Sequence, residues 1–231
     1  MEIIPLGDLA LTITLGNAID EATHRLVRAV TRAIMASDIS GVTDIVPAFA
    51  SVTVHYDPLQ IRRTGSESPY EQLVSALRQL LDDVRVEDLP EPRLVEIPVC
   101  YGGSLGPDLT DLAEQHNLST DEVVRLHSSA VYLVYMVGFM PGFAYLGGLP
   151  ERIATPRRAS PRTAVPAGSV GIGGQQSGVY PLESPGGWNL IGRTPLQIFD
   201  ITRDEQTLLA TGDRVRFVPI TLRRFESWPA T

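Results

Sequence analysis

Four arginines in the second half of the chain are the side chains best suited to binding chemistry. Arg157, Arg158, Arg162 and Arg193 lie beside or close to proline or glycine, so each is expected on a loop with a restrained backbone. A guanidinium group held in place recognises carboxylates and phosphates through paired N–H donors. Taken singly, each of these arginines is more simply interpreted as a solvated surface residue. As a set they predict an anion-binding pocket.

Three further side chains are candidates for chemistry. His127 falls near the end of a predicted helix, where it is either a general base or a residue that complements the helix dipole. Gln175 follows two glycines and would either hydrogen-bond an amide-type substrate or bond the backbone of its own turn. Tyr145 is expected in a core or a pocket wall more than in chemistry. The residues alone therefore predict a polar site without naming its substrate.

Composition excludes several classes of function. The 231-residue chain has 19 basic residues, and every one is an arginine. A Walker-type phosphate loop, a Schiff-base lysine and a lysine general base are therefore ruled out. The net charge of −8 disfavours nucleic acid or an anionic membrane as the main partner. The four histidines and Cys100 show no metal-ligand spacing, so no bound metal is expected.

The same sequence favours a cytoplasmic location. It has no apolar run long enough to span a bilayer, and residues 1–5 lack the basic and apolar regions of a signal peptide. Its single cysteine cannot form an internal disulfide.

The elements that would position these side chains begin with an α+β unit. Residues 10–15 alternate as a strand, a helix capped by Asn17 follows, strands are predicted over 42–49 and 51–56, and Ser68-Pro69 begins a second helix. The apolar stripe of the first helix comprises Ile19, Leu26, Val27, Val30 and Ile34. Residues 84–86 or the next segment would supply a last strand. This order predicts a ferredoxin-like α+β domain over residues 1–88.

A second, mainly β domain is predicted over residues 93–231. The acidic stretch 87–92 contains two prolines and is the expected linker. A strand over 93–101, helices over 108–116 and 119–129, and a strand over 130–137 come next. Short runs between glycines and prolines predict the strands of a barrel or sandwich. These runs cover residues 163–165, 169–173, 178–180, 189–192, 196–199 and 214–218.

Several long motifs of this chain resemble one protein family, the B subunit of 5-oxoprolinase, which is also called KipI and was formerly labelled allophanate hydrolase subunit 1. The matching runs are GFMPGFAYLGGL at 138–149, VPAGSV at 165–170, SPGGW at 184–188 and IGRTP at 191–195. Shorter matches extend upstream, so the resemblance covers nearly the whole chain. Two departures are Ala48-Phe49-Ala50-Ser51, where the family usually shows an aromatic-Arg-Ser run, and Ser177, where threonine is usual.

The resemblance implies an N-terminal α+β domain followed by a cyclophilin-like β-barrel. It also implies that the chain forms a heteromer with a KipA-like C subunit, and that an A subunit is the third component. Together these proteins open 5-oxo-L-proline to L-glutamate with ATP hydrolysis, and the isolated chain is expected to be inactive. Two alternatives remain open: an inhibitor that binds a sensor histidine kinase, and a carboxyltransferase subunit of the allophanate hydrolase or urea carboxylase type.

Residue roles follow from the enzyme hypothesis. ATP would bind at a site shared with the partner subunits. Arg193 and His127 would act in catalysis, the histidine as a proton shuttle or orienting donor. Arg157 and Arg162 would neutralise phosphate or the substrate carboxylate, and Gln175 and Tyr145 would position the substrate.

Overall fold

The computed structural model describes residues 1–18, 20–61 and 66–229. The chain divides into two compact units, Met1–Glu91 and Pro92–Thr231, and each has its own apolar core. Ile19, which the sequence placed in the stripe of the first helix, lies outside the described residues. Within the described part, no helix is long and apolar enough to cross a membrane.

The first unit packs two helices against an antiparallel sheet. Its elements are β1 (Glu2–Pro5), β2 (Ala10–Thr14), α1 (Glu21–Ala36), β3 (Val42–Pro47), β4 (Ser51–Tyr56) and α2 (Pro69–Asp82). The strand order in the sheet is β1-β2-β4-β3. Alternate residues of the inner strands face the helices, as the period-2 pattern predicts. The core joins Leu11, Ile13, Val52 and Val54 of the sheet to Val27, Val30, Ile34, Leu73 and Leu77 of the helices.

Both helices of this unit begin at a side-chain cap. Ser68 and Glu71 form a reciprocal capping box at the start of α2, which confirms the predicted helix start. The cap of α1 was predicted wrongly. Asp20, and not Asn17, is the cap, and its carboxylate accepts the Thr23 N–H at 2.8 Å. Asp20 lies three residues before the amide that it must reach, which is the spacing a cap requires.

The predicted last strand of the first unit is also wrong. Residues 86–88 form a short 3-10 helix instead. The sheet edge beside β2 is occupied by β1, whose Glu2–Pro5 pair antiparallel with residues 11–14. A turn through Gly7, at φ +65°, joins the two strands, so this edge closes locally with a small loss of chain entropy.

The second unit is built on a closed barrel of seven strands. In chain order its elements are β5 (Leu94–Tyr101), α3 (Leu109–Gln115), α4 (Thr120–Ser129), β6 (Val131–Val137), β7 (Ala144–Gly147), β8 (Arg162–Val165), β9 (Ser169–Gly173), β10 (Gln176–Val179), β11 (Ser184–Gly186), β12 (Asn189–Arg193), β13 (Arg214–Pro219) and α5 (Leu222–Glu226). Around the barrel the order is β10-β7-β6-β13-β5-β12-β9. Neighbouring strands are antiparallel except β13 with β5, which are parallel. The barrel part of the predicted fold is confirmed.

Two segments that were predicted as barrel strands are not part of the barrel. The run at 163–165 belongs to β8, which pairs with β11 in a separate two-stranded sheet outside the barrel. Residues 196–199 form no strand and make only an isolated bridge between Phe199 and Thr207. Pro195 precedes this segment and has no N–H to give to a strand ladder.

Candidate functional site

Two motifs far apart in sequence meet in one aromatic cluster of the second unit. Phe143 packs edge-on against Trp188, with ring centroids 5.6 Å apart, and against Tyr180 at 5.3 Å. Tyr145 contacts both Phe143, at 4.9 Å, and Trp188, at 6.2 Å. Edge-to-face contacts at these distances fix the orientation of the rings. The cluster therefore forms a rigid base beside the loop that carries the arginines.

Arg157 lies on this base. Its guanidinium carbon is 5.8 Å from the centroid of the Trp188 ring, within the range of a cation–π contact. The residue is exposed, so its charge faces solvent. Burial of the neighbouring Tyr180 raises the pKa of its hydroxyl, while the charges of Arg157 and Arg162 lower it by a smaller amount. Tyr180 therefore remains a neutral hydrogen-bonding group near neutral pH.

Asp108 holds the next two arginines. One of its oxygens, Oδ1, lies 2.8 Å from Arg158 Nη1 and 2.7 Å from Arg162 Nη2. The other oxygen, Oδ2, accepts the Leu190 N–H at 2.6 Å. The residue is 4% exposed, so a buried carboxylate joins the loop at Arg158 to the strands β8 and β12. One negative charge cannot balance two guanidinium groups, and the group keeps a net positive charge.

Sequence reasoning missed Asp108 as a site residue. Its partners lie 50 and 54 residues further along the chain. The local sequence Gly106-Pro107-Asp108 indicates only the start of a helix. The one signal in the sequence was the excess of arginine over acidic residues in the segment 157–162, because restrained arginines usually require a carboxylate partner.

Gln175 lies at the tip of the hairpin between β9 and β10 and is exposed. Gly174 makes this tight turn possible at φ +67°. The backbone of Gly174 exchanges hydrogen bonds of 3.1 and 2.7 Å with Thr155, two residues before Arg157. The hairpin is therefore tied to the segment that carries the arginines.

His127 is placed inside the barrel, away from any surface. It is fully buried, with Nδ1 2.8 Å from the Tyr101 hydroxyl and Nε2 2.8 Å from Ser177 Oγ. Its ring stacks on Phe217 at 4.5 Å. Desolvation lowers the pKa of His127 to about 3, so the imidazole is neutral at physiological pH. Because it has no exposed surface, the histidine cannot touch a substrate in this conformation.

Arg193 ends β12 and lines a separate cavity of about 550 Å³. Its Nε donates a 2.7 Å hydrogen bond to the Ala167 carbonyl oxygen. Thus the structure brings Arg157 and Tyr145 together at Trp188, pairs Arg162 on β8 with Asp108, places Arg193 at the cavity, and keeps His127 in the core. Among the described residues, no group of three histidine, cysteine or carboxylate side chains could hold a metal ion.

The barrel fold and its motifs define a class of protein. The family described as carboxyltransferase domain, subdomain C and D, matches residues 1–209, and this chain is a member of that class. The chain is 43% identical over 230 residues to the 5-oxoprolinase B subunit of Bacillus subtilis (strain 168), an alignment that covers 98% of this chain and 96% of the relative. For the Escherichia coli O157:H7 protein of the same name the identity is 44% over 214 residues, covering 93% and 94%. The chain belongs to the family of 5-oxoprolinase B subunits, as its motifs predicted.

Solved structures agree on the fold. The crystal structure of TTHA0988 matches with a TM-score of 0.78 and 35% identity, and covers 92% of this chain. This chain spans only 40% of TTHA0988. The urea carboxylase of Kluyveromyces lactis matches with a TM-score of 0.73 over 97% of this chain and 22% of its own. At 20% identity, that second likeness indicates a shared fold alone.

Proposed function

We propose that this chain is the B subunit of an ATP-dependent 5-oxoprolinase, which opens 5-oxo-L-proline to L-glutamate together with two partners, a KipA-like C subunit plus an A subunit. The observation that carries the proposal is the similarity to relatives of that name over nearly the whole length of both chains. By itself the chain is inactive and supplies one wall of a shared site. The single cysteine of the sequence favours a cytoplasmic enzyme.

Each of the two units is assigned a more specific fold. Residues 1–88 form a ferredoxin-like domain in which an N-terminal strand replaces the usual last strand at the sheet edge. This assignment is supported by the order β1-β2-β4-β3 with both helices on one core. Residues 93–231 form a cyclophilin-like domain, supported by the closed barrel.

Arg157 and Arg162 neutralise anionic groups at the aromatic base, where Tyr145 forms part of the wall. Arg157 is well suited to this because its charge is exposed and its guanidinium lies over the Trp188 ring. Arg162 contributes less free charge because Asp108 already binds one of its terminal nitrogens. Its other terminal nitrogen is buried without a hydrogen-bond partner, which favours a further acceptor there. Gln175 approaches the same region from its hairpin.

The residues present fit part of a nucleotide site. Bound ATP would supply a phosphoryl group to the amide oxygen of the lactam and so provide a good leaving group. Arg157 fits one phosphate of such a donor, since it is an accessible guanidinium group with a fixed orientation. A triphosphate carries more negative charge than the Arg157, Arg158, Arg162 and Asp108 group can balance. The partner subunits therefore contribute the remaining cations.

In this proposal His127 has a structural role and does not contact the substrate. Its neutral ring links the Tyr101 hydroxyl on β5 to Ser177 on β10. These strands belong to opposite parts of the barrel order, so the link fixes the barrel from within. The orienting role that the sequence allowed is compatible with this geometry, whereas a proton shuttle would require the ring to reach the surface.

A reconstitution assay tests the proposal. Glutamate release from 5-oxo-L-proline is measured with ATP, using this chain alone, the partner proteins alone, and the complete mixture. Activity in the complete mixture only would support the assignment. Absence of activity with correctly assembled partners would contradict it, and binding to a sensor histidine kinase or carboxylation of urea would then be tested. No specific contact in the described residues favours either of those alternatives.

A further inference from the structure

The cavity beside Arg193 is formed by four segments of the second unit, one of which contributes only Pro181. The VPAGS motif contributes Ala167 and Gly168, and the end of β12 with the chain that follows it contributes residues 193–197. The third segment is the carboxyl-terminal region, through Phe225, Trp228 and Pro229. The volume of the cavity, about 550 Å³, lies within the usual range of small-molecule sites, about 300–1,000 Å³. The cavity is therefore large enough for a metabolite.

Arg193 is the one charged side chain in the lining of this cavity among the described residues. The bond from its Nε to Ala167 fixes the guanidinium plane. Within the described chain, no acidic side chain forms an ion pair with it, and its terminal nitrogens donate to no other protein group. A guanidinium group that is held in place, and whose terminal N–H groups are free, can donate two parallel hydrogen bonds to a carboxylate.

Most of the other lining residues are apolar and are held in place. Phe225 and Trp228 contribute aromatic surface, together with two prolines at 181 and 195 and Leu196. The Arg224 guanidinium lies 4.7 Å from the centroid of the Trp228 ring and restrains the indole. Thr221 caps α5, with its hydroxyl oxygen accepting the Arg224 N–H at 3.3 Å. The aromatic wall is thus anchored to the end of β13.

We propose that this cavity is a binding site for a small monocarboxylate with a compact apolar body, and that the site is complete in this chain without its partners. The carboxylate pairs with Arg193 and the body contacts Phe225 and Trp228. A single cation balances a single negative charge, whereas a phosphate or a nucleotide would bring more negative charge than Arg193 alone can balance. This proposal depends on the proposed function only in its choice of probe. The probe is 5-oxo-L-proline, a carboxylate on a five-membered ring.

The test is a titration of the isolated full-length chain by calorimetry with 5-oxo-L-proline, inorganic phosphate and ATP. We expect saturable binding of 5-oxo-L-proline that neither phosphate nor ATP displaces. Arg193→Ala should weaken this binding by at least about tenfold, because a charge-assisted bidentate contact is lost. Arg216→Ala is the matched control, since Arg216 lies on β13, is about half exposed and pairs with Glu96.

A second measurement does not depend on that variant. The indole N–H signal of Trp228 in the NMR spectrum should shift with 5-oxo-L-proline, while that of Trp188 in the aromatic cluster should not. Absence of saturable binding, displacement by phosphate or ATP, or a shift of Trp188 alone would each overturn the proposal. If reconstituted turnover succeeds while the isolated chain fails to bind, only this site is wrong. If binding succeeds and turnover fails, the proposed function is wrong and the site stands.

Discussion

The Nε atom of Arg193 donates a 2.7 Å hydrogen bond to the carbonyl oxygen of Ala167. This bond joins the IGRTP motif to the VPAGS motif, and its two residues lie 26 positions apart in sequence. It is reinforced by the Thr194 N–H, which donates to the Gly168 carbonyl oxygen at 2.9 Å. A side chain at Gly168 would collide with the Thr194 carbonyl oxygen, and the residue has φ +80°, so glycine is needed there.

Replacement of Arg193 tests its role in turnover. Arg193→Ala in the reconstituted complex is expected to lower the rate about 10- to 100-fold, as loss of a charge-assisted contact would. Arg193→Lys keeps the charge but lacks the planar fork that pairs with a carboxylate through two N–H groups, so an intermediate rate is expected. Circular dichroism and the thermal midpoint should stay close to wild type. Full turnover in the alanine variant would remove Arg193 from the site.

The buried His127 predicts a specific pH dependence of stability. The folded state has a pKa of about 3 for this ring, below its ordinary 6.5, so the unfolded chain takes up a proton first as the pH falls. The His127 contribution to the free energy of unfolding is therefore complete above pH 6.5 and is lost progressively down to pH 3. Linkage gives a loss of roughly 2–3 kcal/mol between pH 6 and pH 4.

Denaturant unfolding of wild type and His127→Gln at several pH values measures this effect. The stability of wild type relative to the variant should fall by that amount as the pH is lowered, because all other titrating groups are shared. Parallel stability curves would contradict a depressed pKa. His55→Gln, at a histidine of the first unit that is only partly buried, serves as the control.

Asp108 should be more important to stability than an ordinary surface carboxylate. Asp108→Asn keeps an acceptor for the Leu190 N–H but leaves Arg158 and Arg162 without their counter-charge. Both arginines are partly exposed, so solvent screens part of the loss, and a decrease of about 2 kcal/mol in the free energy of unfolding is expected. Glu114→Gln, an exposed carboxylate on α3, should change it by less than about 0.5 kcal/mol. Equal effects of the two substitutions would contradict this role of Asp108.

Gly173 leaves room for the indole of Trp188. A Cβ at this position would lie 2.6–2.7 Å from three ring atoms, so Gly173→Ala must displace the indole on which Arg157 lies. We expect a loss of about 1–3 kcal/mol and altered tryptophan fluorescence. Gly187→Ala, whose Cβ would make only ordinary contacts of 3.6–3.9 Å, is the matched control. An unchanged spectrum for Gly173→Ala would show that the indole is not confined.

Local signals in the sequence were sufficient for much of the fold. The helix starts at Ser68-Pro69 and at Ser119, and the strands over 51–56 and 214–218, depend on neighbouring residues, and the structure has them where they were predicted. The edge strand β1 was missed because its pairing depends on a turn at Gly7 and not on its own pattern.

The site was less accessible from sequence because its contacts join distant segments. Loop arginines could be recognised one by one, but Asp108 becomes their partner only when β12 brings Leu190 beside it. From the sequence, His127 was a residue near a helix end, either a general base or a partner of the helix dipole. Its burial depends on Phe217, which is 90 positions away in the sequence and stacks on the ring across the barrel.

The most direct test of the central claim is a titration of this chain into fixed amounts of its partner proteins, with ATP-dependent glutamate formation from 5-oxo-L-proline as the readout. We predict no glutamate without this chain, a linear rise as it is added, and saturation at a fixed molar ratio. A full rate in the absence of this chain, or no rate at any ratio with assembled partners, would contradict the claim that it is part of the enzyme.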